Sequence, residues 1–265
     1  MRGRDEKYPV PAHVMTVIGA YVIGDEILSG KRPDAHLPHL IETLRARSLR
    51  LDYAHYVGDD RERLSALLRA SFERGDLVVS FGGIGATPDD HTRQAAAVAL
   101  GVSLVRHPEA VAELEARFGA EAYPNRVLMA EFPEGSRIIP NPVNRVAAFA
   151  IRDHLFLPGF PQMAWPMLDW ALAQWYPALR HEPIAERSIL VFGAGESQLL
   201  ALMEENVARF ATLKLFSLPS LLPADERRIE LGVKGDPRDV DAGLAHLRNG
   251  VEAAGFRWEP VPVTR

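Results

Sequence analysis

The residues of this sequence best suited to chemistry lie between positions 82 and 92. Gly82, Gly83 and Gly85 follow directly on the apolar run Leu77-Val78-Val79, and Thr87, Asp89, Asp90, His91 and Thr92 come in the same short stretch. Glycines let a backbone turn tightly and let a ligand reach its N–H groups with no Cβ in the way. A helix beginning just after such a loop adds unpaired donors and the positive end of its dipole, which suits a phosphate. Two carboxylates at the same place oppose an anion unless a divalent cation lies between, and oxygen donors suit a hard ion such as Mg²⁺. The competing reading has Asp89 or Asp90 capping the helix while the glycines only turn the chain.

Further acidic groups recur at comparable points. Asp25 and Glu26 follow the apolar run Val14–Val22 in Gly24-Asp25-Glu26-Ile27-Leu28-Ser29-Gly30, where Asp25 or Ser29 could equally cap a turn. Asp59 and Asp60 follow Val57-Gly58, and a helix cap is again the rival. Asp34 precedes Leu37, Leu40, Ile41 and Leu44, an apolar stripe of helical spacing, as an N-cap candidate. His36 and His39 lack a convincing third metal ligand and read as surface or loop histidines. The spacing therefore gathers carboxylates at the ends of several apolar segments, and something must bring those ends to one edge.

The elements supply that edge. Val14–Val22, Leu49–Val57 and the run at Asp76 read as strands, with amphipathic helices between them (Leu37 to Arg47; Arg61 to Arg74 with Leu64, Leu67, Leu68 and Phe72 inward). Strand, helix, strand, helix, strand predicts a parallel sheet with right-handed crossovers, in which ligands bind beyond the carboxyl ends of the strands. Residues 108 to 130 read as helical, Ile138–Val143 as a strand entering a proline-fixed loop, and 147–151 with 154–157 as two strands around Arg152-Asp153. A helix containing Met163, Met167 and Trp170 follows, its methionines and Trp165 reading as core packing. Pro177 to Pro183 reads as a linker. Beyond it, strand, helix, two strand-like runs, helix and a last strand make a small α+β unit. There Gly193-Ala194-Gly195 lacks the lysine of a P-loop and reads as a helix start. Residues 1 to 12 read as a loose tail.

Bulk properties narrow the class. At 265 residues with 47% hydrophobic content, the chain can build one large domain or a medium one with a companion. A net charge of −5 argues against a nucleic-acid partner, and the absence of cysteine removes disulfides and thiolate sites. No apolar stretch is long enough for a membrane span, and the charged amino terminus lacks a signal peptide's apolar centre. The expectation is a cytoplasmic protein with no membrane partner.

The long ordered motif Gly82-Gly83-Ile84-Gly85-Ala86-Thr87-Pro88-Asp89-Asp90-His91-Thr92 resembles the signature of the molybdopterin-binding (MoaB/Mog-like) superfamily. Together with Gly24-Asp25-Glu26-Ile27-Leu28-Ser29-Gly30, it is most similar to the amino-terminal domain of the competence/damage-inducible CinA group. Asn141-Pro142-Val143 and Leu157-Pro158-Gly159-Phe160-Pro161 echo that group's later motifs. The chain departs from it at Asn144-Arg145-Val146-Ala147-Ala148, where the group carries glycines, and at Gln162-Met163. The resemblance implies a three-layer α/β/α domain with a mostly parallel sheet over residues 13–176, and a small α+β, KH-like domain over 184–262. No counterpart of the group's nicotinamide-mononucleotide deamidase domain is expected within these residues.

The resemblance also implies a function. It points to a metal-dependent nucleotide pyrophosphatase of the ADP-ribose type, with Asp90 as principal ligand of Mg²⁺ or another divalent metal, and Asp59 as second ligand or orienter of water. Gly82, Gly83, Gly85 and Thr87 would cradle phosphate, Asp25, Glu26 and Asp34 would line the rim, and Asn141 and Pro142 would border the ligand. The alternatives are a protein that binds a pterin or nucleotide phosphate without turnover, and a molybdopterin adenylyltransferase. A homo-oligomer is implied in each case.

Overall fold

A computed structural model describes residues 16–180, 184–220 and 227–261; the expected tail over 1 to 12, the first two residues of the expected first strand and the end of the expected linker lie outside them. The chain divides into two compact units, Met1–His181 and Glu182–Arg265.

The first unit runs β1 (Ile18–Ile23), α1 (Asp25–Leu28), α2 (His36–Ala46), β2 (Tyr53–Val57), α3 (Arg61–Arg74), β3 (Leu77–Phe81) and α4 (Thr92–Leu100). It continues with β4 (Leu104–Arg106), α5 (Pro108–Phe118), β5 (Glu131–Pro133), β6 (Arg137–Ile139), β7 (Ala148–Ile151), β8 (His154–Leu157) and α6 (Pro161–Trp175). Six strands form one sheet in the order β2-β1-β3-β8-β7-β6. The first four are mutually parallel, and β7 alone runs against its neighbours, so five of the six point the same way. All of β1 and β3 is buried, as unbroken apolar runs in a parallel sheet covered on both faces should be. One face packs Leu40 and Leu44 of α2 with Met167, Leu168 and Leu172 of α6. The other packs Leu64, Leu68 and Phe72 of α3 with Ala95, Ala96 and Leu114 of α4 and α5. Met163 and Trp165 pack against the first face and Met167 lies within it, the core role their sequence suggests.

Local signals set the helix ends. Asp60 accepts the Arg63 N–H and caps α3, and Gly75 closes it at φ 74° with its N–H on the carbonyls of Ser71 and Phe72. The expected helix over 108–130 is shorter. It stops at Phe118, before Gly119 at φ 55°, and the chain continues in two 3₁₀ turns, Gly119–Ala122 and Arg126–Ala130. The small antiparallel pair β4–β5 has no counterpart in the sequence expectations, because three-residue strands carry too little periodicity to see.

The second unit runs β9 (Ala185–Phe192), α7 (Glu196–Arg209), β10 (Leu213–Pro219), β11 (Arg228–Gly235), α8 (Pro237–Ala253) and β12 (Arg257–Pro260). Its sheet is antiparallel throughout, in the order β10-β11-β9-β12. The expected small α+β unit is present, and its βαββαβ connectivity is that of the ferredoxin-like split unit. Ile189, Val191, Leu231 and Val233 pack under Val240, Leu247 and Val251 of α8.

Candidate functional site

In the first unit the chain passes from β1 to β2 on one side and crosses back beyond β1 to β3 on the other. That reversal leaves a crevice outside the carboxyl ends of β1 and β3, where open α/β sheets bind ligands. The loops after β1, β2, β3, β6 and β8 all leave from this edge, and every residue singled out for a site lies on one of them or on the helix that opens from it.

The glycine loop after β3 is built on two backbone constraints. Gly82 has φ 99° and a side chain there would meet the Ile23 carbonyl; Gly83 has φ 67° and would meet the Thr92 hydroxyl. Both conformations disfavour any residue with a Cβ, so these glycines are required by the close approach of the loop to the ends of β1 and α4. Three carbonyls of the loop are satisfied from within. Thr92 donates its hydroxyl to Gly82 O and its N–H to Gly83 O, and Arg93 donates to Gly85 O at 2.5 Å. The amides of Gly83, Ile84, Gly85 and Ala86 have no hydrogen-bond partner among the described residues. Four consecutive unpaired N–H groups at a strand's carboxyl end are donors that suit an anion.

The structure sorts the carboxylates into two sets. Asp25 and Asp59 are locked reciprocally: the Asp25 N–H donates to Asp59 Oδ2 at 3.0 Å, and the Asp59 N–H donates to Asp25 Oδ1 at 3.3 Å. Partial burial raises the Asp59 carboxyl above its usual range, and the charges of Asp25, Glu26 and Asp89 push it further up, against the lowering by the Asp25 N–H. Asp59, Asp25, Glu26 and Asp89 therefore share one electrostatic neighbourhood. Asp90 is used differently. Its Oδ2 accepts from the Thr87 N–H at 2.9 Å and the Thr87 hydroxyl at 2.5 Å, and it lies against Gly85, where a Cβ would collide with it. Thr87 and Asp90 thus brace the loop against each other.

The remaining predicted residues hold the surroundings in place. The N-cap position of α2 is Ala35, and Asp34, one residue before it, supplies the side chain that accepts the first N–H groups, of His36 at 2.8 Å and Leu37 at 3.2 Å, with the Tyr56 hydroxyl on Oδ2 at 2.7 Å. Asn141 is buried and spent on its own turn: Oδ1 accepts from Val143 and Asn144, and Nδ2 donates to Val146 O. Pro142 is exposed on that turn. The expectation of surface histidines fails for His36, which is 5% exposed and stacked on Phe81 at 4.4 Å, with Nδ1 unpartnered. Its place is the end of β3 beneath the glycine loop, and desolvation lowers its pKa. His39 is half-buried against Trp165, 4.0 Å between rings. Helical spacing could have shown that position 36 shares a face with Leu40 and Leu44, and so that it points inward. Thr92 and Arg93 were also missed. Both are buried polar residues in a helix start, a pattern that could have marked them.

The donor chemistry suits a hard divalent cation, since every carboxylate of the cluster is an oxygen ligand. Among the described residues no three His, Asp or Glu side chains form a group that could hold a metal ion by themselves. Mg²⁺ bound through one or two carboxylates and the ligand's own phosphates requires no such group.

Residues 19–181 match the family described as a probable molybdopterin binding domain. A CinA-like protein of Citrifermentans bemidjiense is 34% identical over 203 residues, covering 73% of this chain and 48% of that protein. A competence-damage inducible protein of Lacticaseibacillus paracasei is 34% identical over 197 residues, covering 70% and 47%. The chain thus spans about half the length of these curated relatives. Among solved structures, the protein CinA of Thermoplasma acidophilum, of unknown function, superposes with a TM-score of 0.55 at 28% identity, over 60% of this chain and 98% of that one. A glycine loop with inward-tied carbonyls, on a mostly parallel sheet, agrees with the family that the comparisons give independently: the chain belongs to the molybdopterin-binding-domain proteins, in their CinA-like branch.

Proposed function

We propose that the crevice binds the diphosphate of a nucleotide and, with a divalent cation, hydrolyses it, ADP-ribose being the substrate type. The carrying observation is the pairing of four unpaired loop amides with a carboxylate cluster, Asp25, Glu26, Asp59 and Asp89, on one sheet edge. Amides alone would serve a simple anion binder; the acids beside them repel phosphate unless a cation is shared. Asp59 and Asp90 are the residues proposed to hold it, and when bound it would neutralise phosphoryl charge and make a bound water easier to deprotonate. The loop amides hold the phosphate. Asp59 orients the attacking water and accepts its proton. The water oxygen bonds to phosphorus as the phosphoanhydride bond breaks, leaving AMP and ribose 5-phosphate. Asp25, through its N–H on Asp59, fixes that carboxylate's direction.

The test is AMP release from ADP-ribose by the purified protein with Mg²⁺, Mn²⁺ or Co²⁺, with chelator, and with Asp90→Ala. Metal-dependent release lost in the variant supports the proposal; full activity in Asp90→Ala overturns the role of Asp90. A second reading, binding of a pterin or nucleotide phosphate without turnover, or adenylyl transfer to a pterin, draws on the turn at 141–146. That turn is closed by its own side chains, with Arg145 at φ 59° tied to Glu113 at 2.7 Å and Asn144 donating to Met163 Sδ. Tight nucleotide or pterin binding with no AMP released would favour it. Either reading carries a homo-oligomer, which light scattering of the purified protein would read.

A further inference from the structure

We propose that Thr92 and Arg93, and Arg93 above all, are positioning residues that set the ligand-binding shape of the glycine loop. This rests on the loop being the phosphate site. Arg93 is only 4% exposed, yet it sits in the first turn of α4 with its guanidinium turned beneath the loop. Nη2 donates to Gly85 O at 2.5 Å, while Nη1 donates to Glu131 O at 3.1 Å and to Leu128 O. Its hydrogen bonds among the described residues go to backbone carbonyls alone, and Nε has no partner. A buried guanidinium is costly to desolvate and is kept where its fixed fork performs a task that shorter or neutral groups cannot. Here the fork joins the loop at 85 to the segment at 128–131, so the loop is clamped to the body of the unit.

The geometry of the peptide gives the clamp its consequence. In a trans peptide the carbonyl and the following N–H point in opposite directions. Thr92 draws the Gly82 and Gly83 carbonyls inward, and Arg93 draws in that of Gly85. The N–H groups of Gly83, Ile84 and Ala86 are thereby turned away from the protein's own acceptors, and none has a partner among the described residues. The positive charge held behind the loop favours an anion seated on the amides without touching it. Thr92 and Arg93 act through the loop and are not expected to contact the ligand.

The experiment follows the backbone amides of the ¹⁵N-labelled full chain by NMR while inorganic pyrophosphate is added in the presence of Mg²⁺. In the unsubstituted protein the Gly83, Ile84 and Ala86 signals should shift on binding. Arg93→Lys keeps the charge and loses the fork; its dissociation constant should rise about tenfold to a hundredfold, the range seen when supporting residues of a bound group are removed. The Ile84 and Ala86 signals should then respond weakly while the rest of the spectrum stays as before. Thr92→Val, which removes only the hydroxyl bond to Gly82 O, should weaken binding in the same direction, and it decides the matter if Arg93→Lys does not fold. Unchanged affinity and unchanged amide shifts in a folded Arg93→Lys or Thr92→Val protein would overturn the proposal while leaving the phosphate site intact. Loop amides that ignore pyrophosphate in the unsubstituted protein would instead overturn the phosphate site itself.

Discussion

At the scale of single residues, the carboxylates of the site differ in what they give up for it. Asp59 is held beside Asp25, Glu26 and Asp89, and its raised pKa means that folding favours its neutral form. The stability contributed by that neutral form is present below the unfolded pKa and is lost as pH rises through the folded one. Asp59→Asn, which keeps an oxygen for the Asp25 N–H, should therefore raise the melting temperature at neutral pH and lower cation-dependent activity together. Thermal unfolding beside the ADP-ribose assay would check both, and a variant that loses stability would refute the repulsion. Asp90→Ala loses the brace on Thr87, so its activity should fall by a factor of about a hundred or more, the scale expected when a group that orients the reacting centre is removed. The sequence offered both aspartates. It could not show that Asp90 faces its own loop while Asp89 shares the field of Asp59, because that depends on rotamers fixed by the loop's path.

At the scale of elements, the loop–helix junctions are where one atom decides the outcome. Gly82→Ala places a methyl against the Ile23 carbonyl in a conformation disfavoured for L-residues. A loss of about 1–3 kcal/mol in unfolding free energy is expected, measurable by denaturant titration, with pyrophosphate binding weakened as well. Asp60→Ala removes the α3 cap and should cost about 1 kcal/mol with no effect on binding, since Asp60 faces the Arg63 N–H and not the crevice. The contrast between the two variants separates a loop that shapes the site from a cap that only holds a helix.

At the scale of the whole molecule, two features govern behaviour. All the proposed site residues lie in the first of two compact units. A chain of residues 1–181 should therefore fold and bind pyrophosphate with the affinity of the full chain; circular dichroism and titration would read this. The second feature is the buried His154, which sits on Phe72 at 3.9 Å and shares a hydrogen bond with Ser71 at 2.8 Å. Burial, assisted by Arg152 and Arg74, lowers its pKa from 6.5 to about 3. The neutral ring is what folds, so its contribution is complete above the unfolded value of 6.5 and is lost as pH falls from there towards about 3. Unfolding free energy should decline across that window, and less steeply in His154→Gln.

The amino-acid sequence by itself determined the parallel α/β order, the small second unit, the glycine loop and the aspartate at the start of α2, because each is written in local spacing: apolar runs, helical stripes, glycines at strand ends. It also carried a motif long enough to identify the family. Only the tertiary structure decided that Asp25 and Asp59, 34 positions apart, lock onto each other, that Asn141 is consumed by its own turn, that His36 is buried, and that Arg93 reaches from α4 to Gly85 O. The Asp25–Asp59 lock and the stacking of His36 on Phe81 are meetings between segments distant in the chain, set by the crossover that returns β3 to the side of β1, while the Asn141 turn and the Arg93 reach depend on the path of a single loop. Local periodicity specifies an element and the face it buries; which side chains meet at the sheet's edge follows from how the elements are stacked.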